Sequence, residues 1–233
     1  MTSSIIPSVT NHSWNLSPKE AVMLQRKLAS MVKLQPLPES FEVLAAADVS
    51  YIGKANSLIA VIVTFLWPDL SLLESIHVVE KIRFPYIPGL LSFREIPPLI
   101  SAYGKLKRKP DVFLCDGQGI AHPRRFGLAS HLGVVLGIPT VGCAKSKLAG
   151  KHEPLELKRG NYKTLVINGE PVGYIFCSRS GVKPIYISPG HLADLPSARV
   201  LITKCLGPYR IPQPLRIAHK TATDLRRKYA SNL

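Results

Sequence analysis

Acidic side chains are scarce in this 233-residue sequence. Fifteen Asp+Glu stand against 30 Lys+Arg, a formal charge of +15 at pH 7. Such a balance favours a polyanionic partner, nucleic acid before anionic membrane. No stretch approaches the roughly 18–20 uninterrupted apolar residues of a membrane span, so no membrane partner is expected. The opening MTSSIIPSVTNHSWNL lacks the basic n-region and long apolar core of a signal peptide, and residues 1–16 are expected to form a flexible lead. Only four cysteines occur (Cys115, Cys143, Cys177 and Cys205), with no CxxC or Cys/His ligand spacing. Reduced, buried thiols in a cytoplasmic protein are expected, with neither disulfides nor a zinc site. Dinucleotide-binding and Walker patterns are missing as well, which disfavours a nucleotide cofactor. Repeats, low-complexity tracts and linkers are also missing, so residues 17–233 are expected to form one domain.

Apolar residues make up 46% of the chain, enough for a substantial core. Ser17-Pro18-Lys19-Glu20 is a capping-box signature, and Ala21, Leu24, Leu28, Met31 and Val32 follow at helical spacing; a helix is predicted over 18–34. Three β-prone runs follow, at 42–52, 58–67 and 72–82, and their short turns predict an antiparallel meander. A mostly helical segment spans 90–107, its main part started or kinked by Pro97-Pro98. Strands are then expected at 111–115 and 138–143, separated by a helix at 126–136. Asn168-Gly169 marks a hairpin of strands 163–167 and 171–178. A short strand at 184–188 and helices near 191–205 and 215–229 complete the reading. The order β-β-β-α-β-α-β is that of a ribonuclease H-like mixed sheet: an antiparallel meander plus parallel strands, flanked by helices. In that topology the first strand lies parallel to the fourth, which would bring Asp48 beside Asp116.

The chemistry concentrates between Pro110 and Lys145. Asp116-Gly117-Gln118-Gly119 ends an apolar strand, and ligands in α/β sheets bind at such strand ends. Asp48 interrupts an apolar strand, where a lone carboxylate is costly unless paired or metal-bound. Two adjacent carboxylates call for a cation, and hard oxygen ligands suit Mg²⁺. Glu95 joins them only if its helix faces the same rim. A carboxylate-held metal in a basic protein points to phosphodiester hydrolysis. Lys145 is a candidate for holding the scissile phosphate, against a plain surface lysine. His122 would contact phosphate or order water, or else be a satisfied structural histidine. His219 would orient water or a metal ligand, against a helix-surface histidine; His131 is assigned to structure. Tyr86, rigid between prolines, suits insertion into a base stack, against packing on the sheet. The backbone of Gly117, Gln118 and Gly119 could line a pocket for an extruded base.

AAADVSY (45–51), PYIPGLLSFRE (85–95), DGQGIAHPRRFGLASHLG (116–133) and IPTVGCAKSKL (138–148) resemble the endonuclease V family, over about residues 17–225. The resemblance implies a ribonuclease H-like fold with Mg²⁺ (or Mn²⁺ in its place) held by Asp48, Asp116 and Glu95. It implies Lys145 and His219 as further catalytic groups and Tyr86 as a strand-separating wedge. The implied reaction is DNA repair: cleavage of the second phosphodiester bond 3′ to deoxyinosine, leaving 3′-hydroxyl and 5′-phosphate ends. Two alternatives stand beside it, an endonuclease for inosine in single-stranded RNA and a non-catalytic nucleic-acid-binding module. A monomer is expected.

Overall fold

A computed structural model describes residues 12–53 and 55–231. Among the described residues thirteen elements follow in order: α1 (Pro18–Ala29), β1 (Val43–Ile52), β2 (Ser57–Leu66), β3 (Ser71–Lys81), α2 (Leu91–Gly104), β4 (Val112–Cys115), α3 (Leu128–Leu136), β5 (Thr140–Ala144), β6 (Tyr162–Ile167), β7 (Glu170–Phe176), β8 (Ile185–Pro189), α4 (Leu195–Lys204) and α5 (Gln213–Ser231). The eight strands form one mixed sheet in the order β3-β2-β1-β4-β5-β8-β7-β6. β1, β4 and β5 are parallel at its centre, and antiparallel strands complete it on both sides. This is the expected ribonuclease H-like arrangement, with the first strand beside the fourth.

The period of two along each strand sorts the core into two layers. Leu44, Ala46, Val112, Leu114, Val141 and Cys143 pack toward α4 and α5, with Leu201, Leu215, Ala218 and Ala222. Ala45, Ala47, Phe113 and Cys115 pack toward α2 and α3, with Ile96, Leu99 and Leu132. The Asn168-Gly169 turn has both residues at positive φ (52° and 82°), as a type I′ hairpin requires.

Three boundaries differ from expectation. α1 stops at Ala29 rather than 34, because Ser30 closes it and the chain turns out to meet His191, whose Nδ1 accepts from the Lys33 N–H at 3.2 Å. Of the two roles expected for Pro97 and Pro98, starting the main part of α2 does not hold. They lie inside it, where the packing of Ile96, Pro98 and Leu99 offsets the hydrogen bonds that proline cannot make. α4 begins at Leu195 rather than near 191, with Asp194 as its N-cap; the Asp194 carboxylate accepts from the Ser197 N–H at 2.9 Å.

Of the expected flexible lead, residues 1–11 lie outside the described residues. Residues 12–16 are held against the fold: Trp14 stacks on His131 at 5.2 Å between centroids, and His12 Nε2 lies 2.9 Å from His131 Nε2. His131 is fully buried and its Nδ1 lies 2.9 Å from Ser92 Oγ, in keeping with its structural assignment.

Candidate active site

Asp48 interrupts the apolar strand β1. β1 pairs with β2 through Ile52, but with β4 only from Leu44 to Ala47. Immediately beyond the Ala47↔Cys115 pair, β4 ends in a turn in which the Gly117 N–H donates to the Cys115 carbonyl at 2.9 Å. Asp48 therefore lies within β1 yet at the open rim beside β4, next to Asp116. The alternation that sends Leu44, Ala46, Val112 and Leu114 toward α5 continues to Asp48 and Asp116, so both acids reach the layer that carries His219. Lys145, two residues after Cys143, follows the same alternation from β5.

The result is a compact charged group. Ligand atoms of Asp48, Asp116 and His219 all lie within 4.8 Å of one another. His219 Nδ1 stands 3.1 Å from Asp48 Oδ2, and Lys145 Nζ donates to Asp116 Oδ2 at 2.5 Å. Burial, and then the neighbouring Asp116, push the Asp48 carboxyl above the usual range, while His219 and Lys145 oppose them. The two carboxylates are oxygen donors of the kind a hard divalent cation takes, and the imidazole stands against one of them.

Glu95 comes from α2, on the opposite face of the sheet. It lines a pocket of about 180 Å³ together with Asp48, Asp116, Leu91, Leu99 and Leu128. Its carboxylate stays outside the group of mutually close ligand atoms formed by Asp48, Asp116 and His219. Burial, and then the charges of Asp48 and Asp116, push its pKa up to about 8.

A second pocket, of about 320 Å³, opens on the other side of Asp116. Its walls include Tyr86, Gly89, Leu91, Gly117, Gln118 and Lys145. Tyr86 is 68% exposed at the mouth, between the buried anchors Phe84 and Leu90, so it does not pack on the sheet. Gly117 and Gln118 line this pocket. Gly119 is instead held inside the fold: its N–H donates to Ser188 Oγ at 2.7 Å, and a Cβ there would fall 1.9 Å from the Pro189 carbonyl oxygen. The Gln118 amide nitrogen donates to the Ser146 carbonyl at 3.0 Å.

His122 also borders this pocket, but both ring nitrogens are engaged within the protein. Nδ1 accepts from the Arg124 N–H at 3.1 Å, so Nε2 carries the hydrogen and donates to the Gly89 carbonyl at 3.0 Å. Burial, then the Arg124 charge, push its pKa down to about 4.

Two residues near the site were not singled out in sequence. Arg210 donates through Nη2 to the Lys145 carbonyl at 2.5 Å and to the Pro184 carbonyl at 2.8 Å, which fixes the backbone beneath the lysine. Gln25 is fully buried behind the larger pocket. Its signal was available, as an amide on the apolar stripe of α1 between Ala21 and Leu28.

A mixed sheet whose central strand ends carry an acidic pair, with a lysine and a histidine against it, defines a nuclease of the ribonuclease H-like class. Comparisons with known proteins narrow the class. The Endonuclease V family profile matches residues 26–220. Endonuclease V of Nostoc punctiforme is 42% identical over 214 residues, covering 91% of this chain and 97% of that protein. The crystal structure of endonuclease V from Streptomyces avermitilis superposes with a TM-score of 0.87 at 36% identity, covering 93% of this chain and 96% of that one. Endonuclease V of Ciona intestinalis, solved with a 23mer DNA containing an inosine followed by a ribo-adenosine, matches with a TM-score of 0.81 at 27% identity and covers 92% of this chain and 100% of that one. The chain belongs to the endonuclease V family.

Proposed function

We propose that this protein is a Mg²⁺-dependent DNA repair endonuclease that recognises deoxyinosine. It hydrolyses the second phosphodiester bond 3′ to the lesion and leaves 3′-hydroxyl and 5′-phosphate ends. The observation that carries the reading is the pair of pockets sharing Asp116, one lined with carboxylates and one largely apolar beneath an exposed tyrosine. The relative bound to inosine-containing DNA supports the choice of lesion.

Asp48 and Asp116 would hold the cation, with Glu95 completing the acidic set from the opposite layer. When bound, Mg²⁺ (or Mn²⁺) supplies a Lewis acid for the phosphate and lowers the pKa of water. The remaining work falls to the chain's own side chains. Lys145 pairs with Asp116 here, and its ammonium would hold the scissile phosphate as a point charge. His219 donates through Nδ1 to Asp48, which leaves Nε2 to orient the attacking water. Tyr86 enters the base stack, and the extruded base occupies the pocket walled by Gly117 and Gln118. The four free, buried cysteines support a cytoplasmic enzyme.

The test is a labelled duplex with one deoxyinosine, a matching RNA with inosine, and undamaged controls, each incubated with Mg²⁺ or with EDTA. The expected result is a Mg²⁺-dependent nick one nucleotide beyond the lesion in DNA. Cleavage of the RNA alone would move the function to RNA processing. Binding without cleavage of either would leave a nucleic-acid-binding module.

A further inference from the structure

The loop that presents Tyr86 ends at Gly89, and the carbonyl of Gly89 is gripped from three sides. Gln25 Nε2 donates to it at 3.0 Å, Arg124 Nη2 at 2.8 Å and His122 Nε2 at 3.0 Å. The donors also hold one another. Gln25 Oε1 accepts from Arg124 Nε, and the Arg124 N–H donates to His122 Nδ1. The second Gln25 N–H reaches the Phe126 carbonyl at 2.7 Å, which ties the network to the start of α3. Gly89 sits at φ 80°, and a Cβ there would lie 2.8 Å from Arg124 Nη2, so backbone and guanidinium are fitted closely. A leucine at 25 would continue the apolar stripe without the desolvation cost of an amide; the glutamine there instead satisfies two carbonyls and orients an arginine.

We infer that Gln25 and Arg124 are positioning residues: with His122 they lock the Gly89 carbonyl and hold the Tyr86 loop rigid enough to open a duplex. This rests on the reading of Tyr86 as a wedge. Unstacking a base step costs a few kcal/mol, and a wedge transmits that load to its base. Glycine is the backbone position most able to yield, and here it is the one that is clamped. Neither Gln25 nor Arg124 touches the reacting phosphate; they act through the loop.

The experiment compares cleavage of deoxyinosine in a fully paired duplex and in a duplex where the lesion lies in a bubble of unpaired bases. Wild type, Tyr86→Ala, Gln25→Glu and Arg124→Lys are measured with Mg²⁺, and each protein's thermal midpoint is recorded. Gln25→Glu keeps the acceptor for Arg124 but loses both amide donors. Arg124→Lys keeps the charge but loses the fork, at a partly exposed position that should fold if the buried variant does not. The expected result is a KM on the paired duplex roughly tenfold higher, the equivalent of about one charged hydrogen bond, with the bubble substrate cut within about twofold of wild type. Tyr86→Ala should show the same split. If the clamp variants lose equally on both substrates, the residues are merely structural and the inference fails. It fails too if they match wild type while Tyr86→Ala shows the split. If Tyr86→Ala shows no split, the wedge reading falls and the clamp's role falls with it. If wild type cuts neither substrate, the proposed function itself is wrong.

Discussion

The two pockets on either side of Asp116 are built by opposite means. The smaller is made where parallel strands stop. Asp48 and Asp116 extend from β-ladders whose register is set by a fully buried core, and their partners Lys145 and His219 come from a neighbouring strand end and a packed helix. The larger is made mostly from loops, and depends on side-chain hydrogen bonds from α1 and the Arg124 segment to keep its shape. In the proposed reading, the reacting charges are thus mounted at the ends of buried β-ladders. In the same reading, recognition is mounted on loops held by side-chain hydrogen bonds, as binding loops on scaffolds commonly are.

The comparison can be broken most sharply by removing charge from the strand side alone. Asp48→Asn should lower cleavage on the order of 10³-fold, the scale for loss of a preorganised charge-stabilising group. Lesion binding, measured in EDTA by fluorescence anisotropy, should hold or tighten, since a negative charge is removed from a polyanion's site. Loss of binding in parallel would mean that the two pockets are not separable. Lys145→Met should cost less, about 10–100-fold in kcat, with a KM near that of wild type; an effect confined to KM would assign the lysine to binding rather than to the reacting phosphate.

Tyr86→Ala tests the loop side. Activity on paired duplex should drop roughly tenfold while stability stays within about 0.5 kcal/mol, because the ring is mostly exposed. A large fall in the thermal midpoint would contradict the wedge reading. The remaining test concerns His122 and reads stability rather than activity. Its pKa of about 4 in the fold lies below the 6.5 usual for histidine. Between those values the unfolded chain binds a proton that the native state does not, so stability is fully present above pH 6.5 and is lost as pH falls toward 4. The loss amounts to at most roughly 3 kcal/mol. His122→Asn should flatten that acid limb of the stability curve, read by denaturant melts at several pH values. An unchanged slope would place the acid sensitivity elsewhere.

Much of this molecule could be read from its residues. The capping box at Ser17, the type I′ turn at Asn168-Gly169 and the buried strand before Asp116 are local signals, and each folds as its local chemistry dictates. The juxtaposition of Asp48 and Asp116 was legible at one remove, because strand order implied the β1–β4 pairing. The early end of α1 was not legible, since contact with a segment far along the chain overrides local preference there. Gln25 and Arg210 escaped for a related reason. A glutamine or an arginine acquires a role only from the carbonyls it faces, and those belong to residues far along the chain.

By itself, then, the sequence determined the elements, the alternation that points both aspartates toward the α5 layer, and the basic surface that suits a polyanion. These follow from backbone sterics, hydrophobic periodicity and charge, all of which act over a few residues or on the chain as a whole. Only the tertiary structure decided that β4 stops short of β1 and leaves Asp48 at an open rim. It alone brought Glu95 from the opposite layer and set three donors on the Gly89 carbonyl. Those outcomes depend on distances of a few ångströms between segments remote in sequence, and such distances are set by how the layers pack.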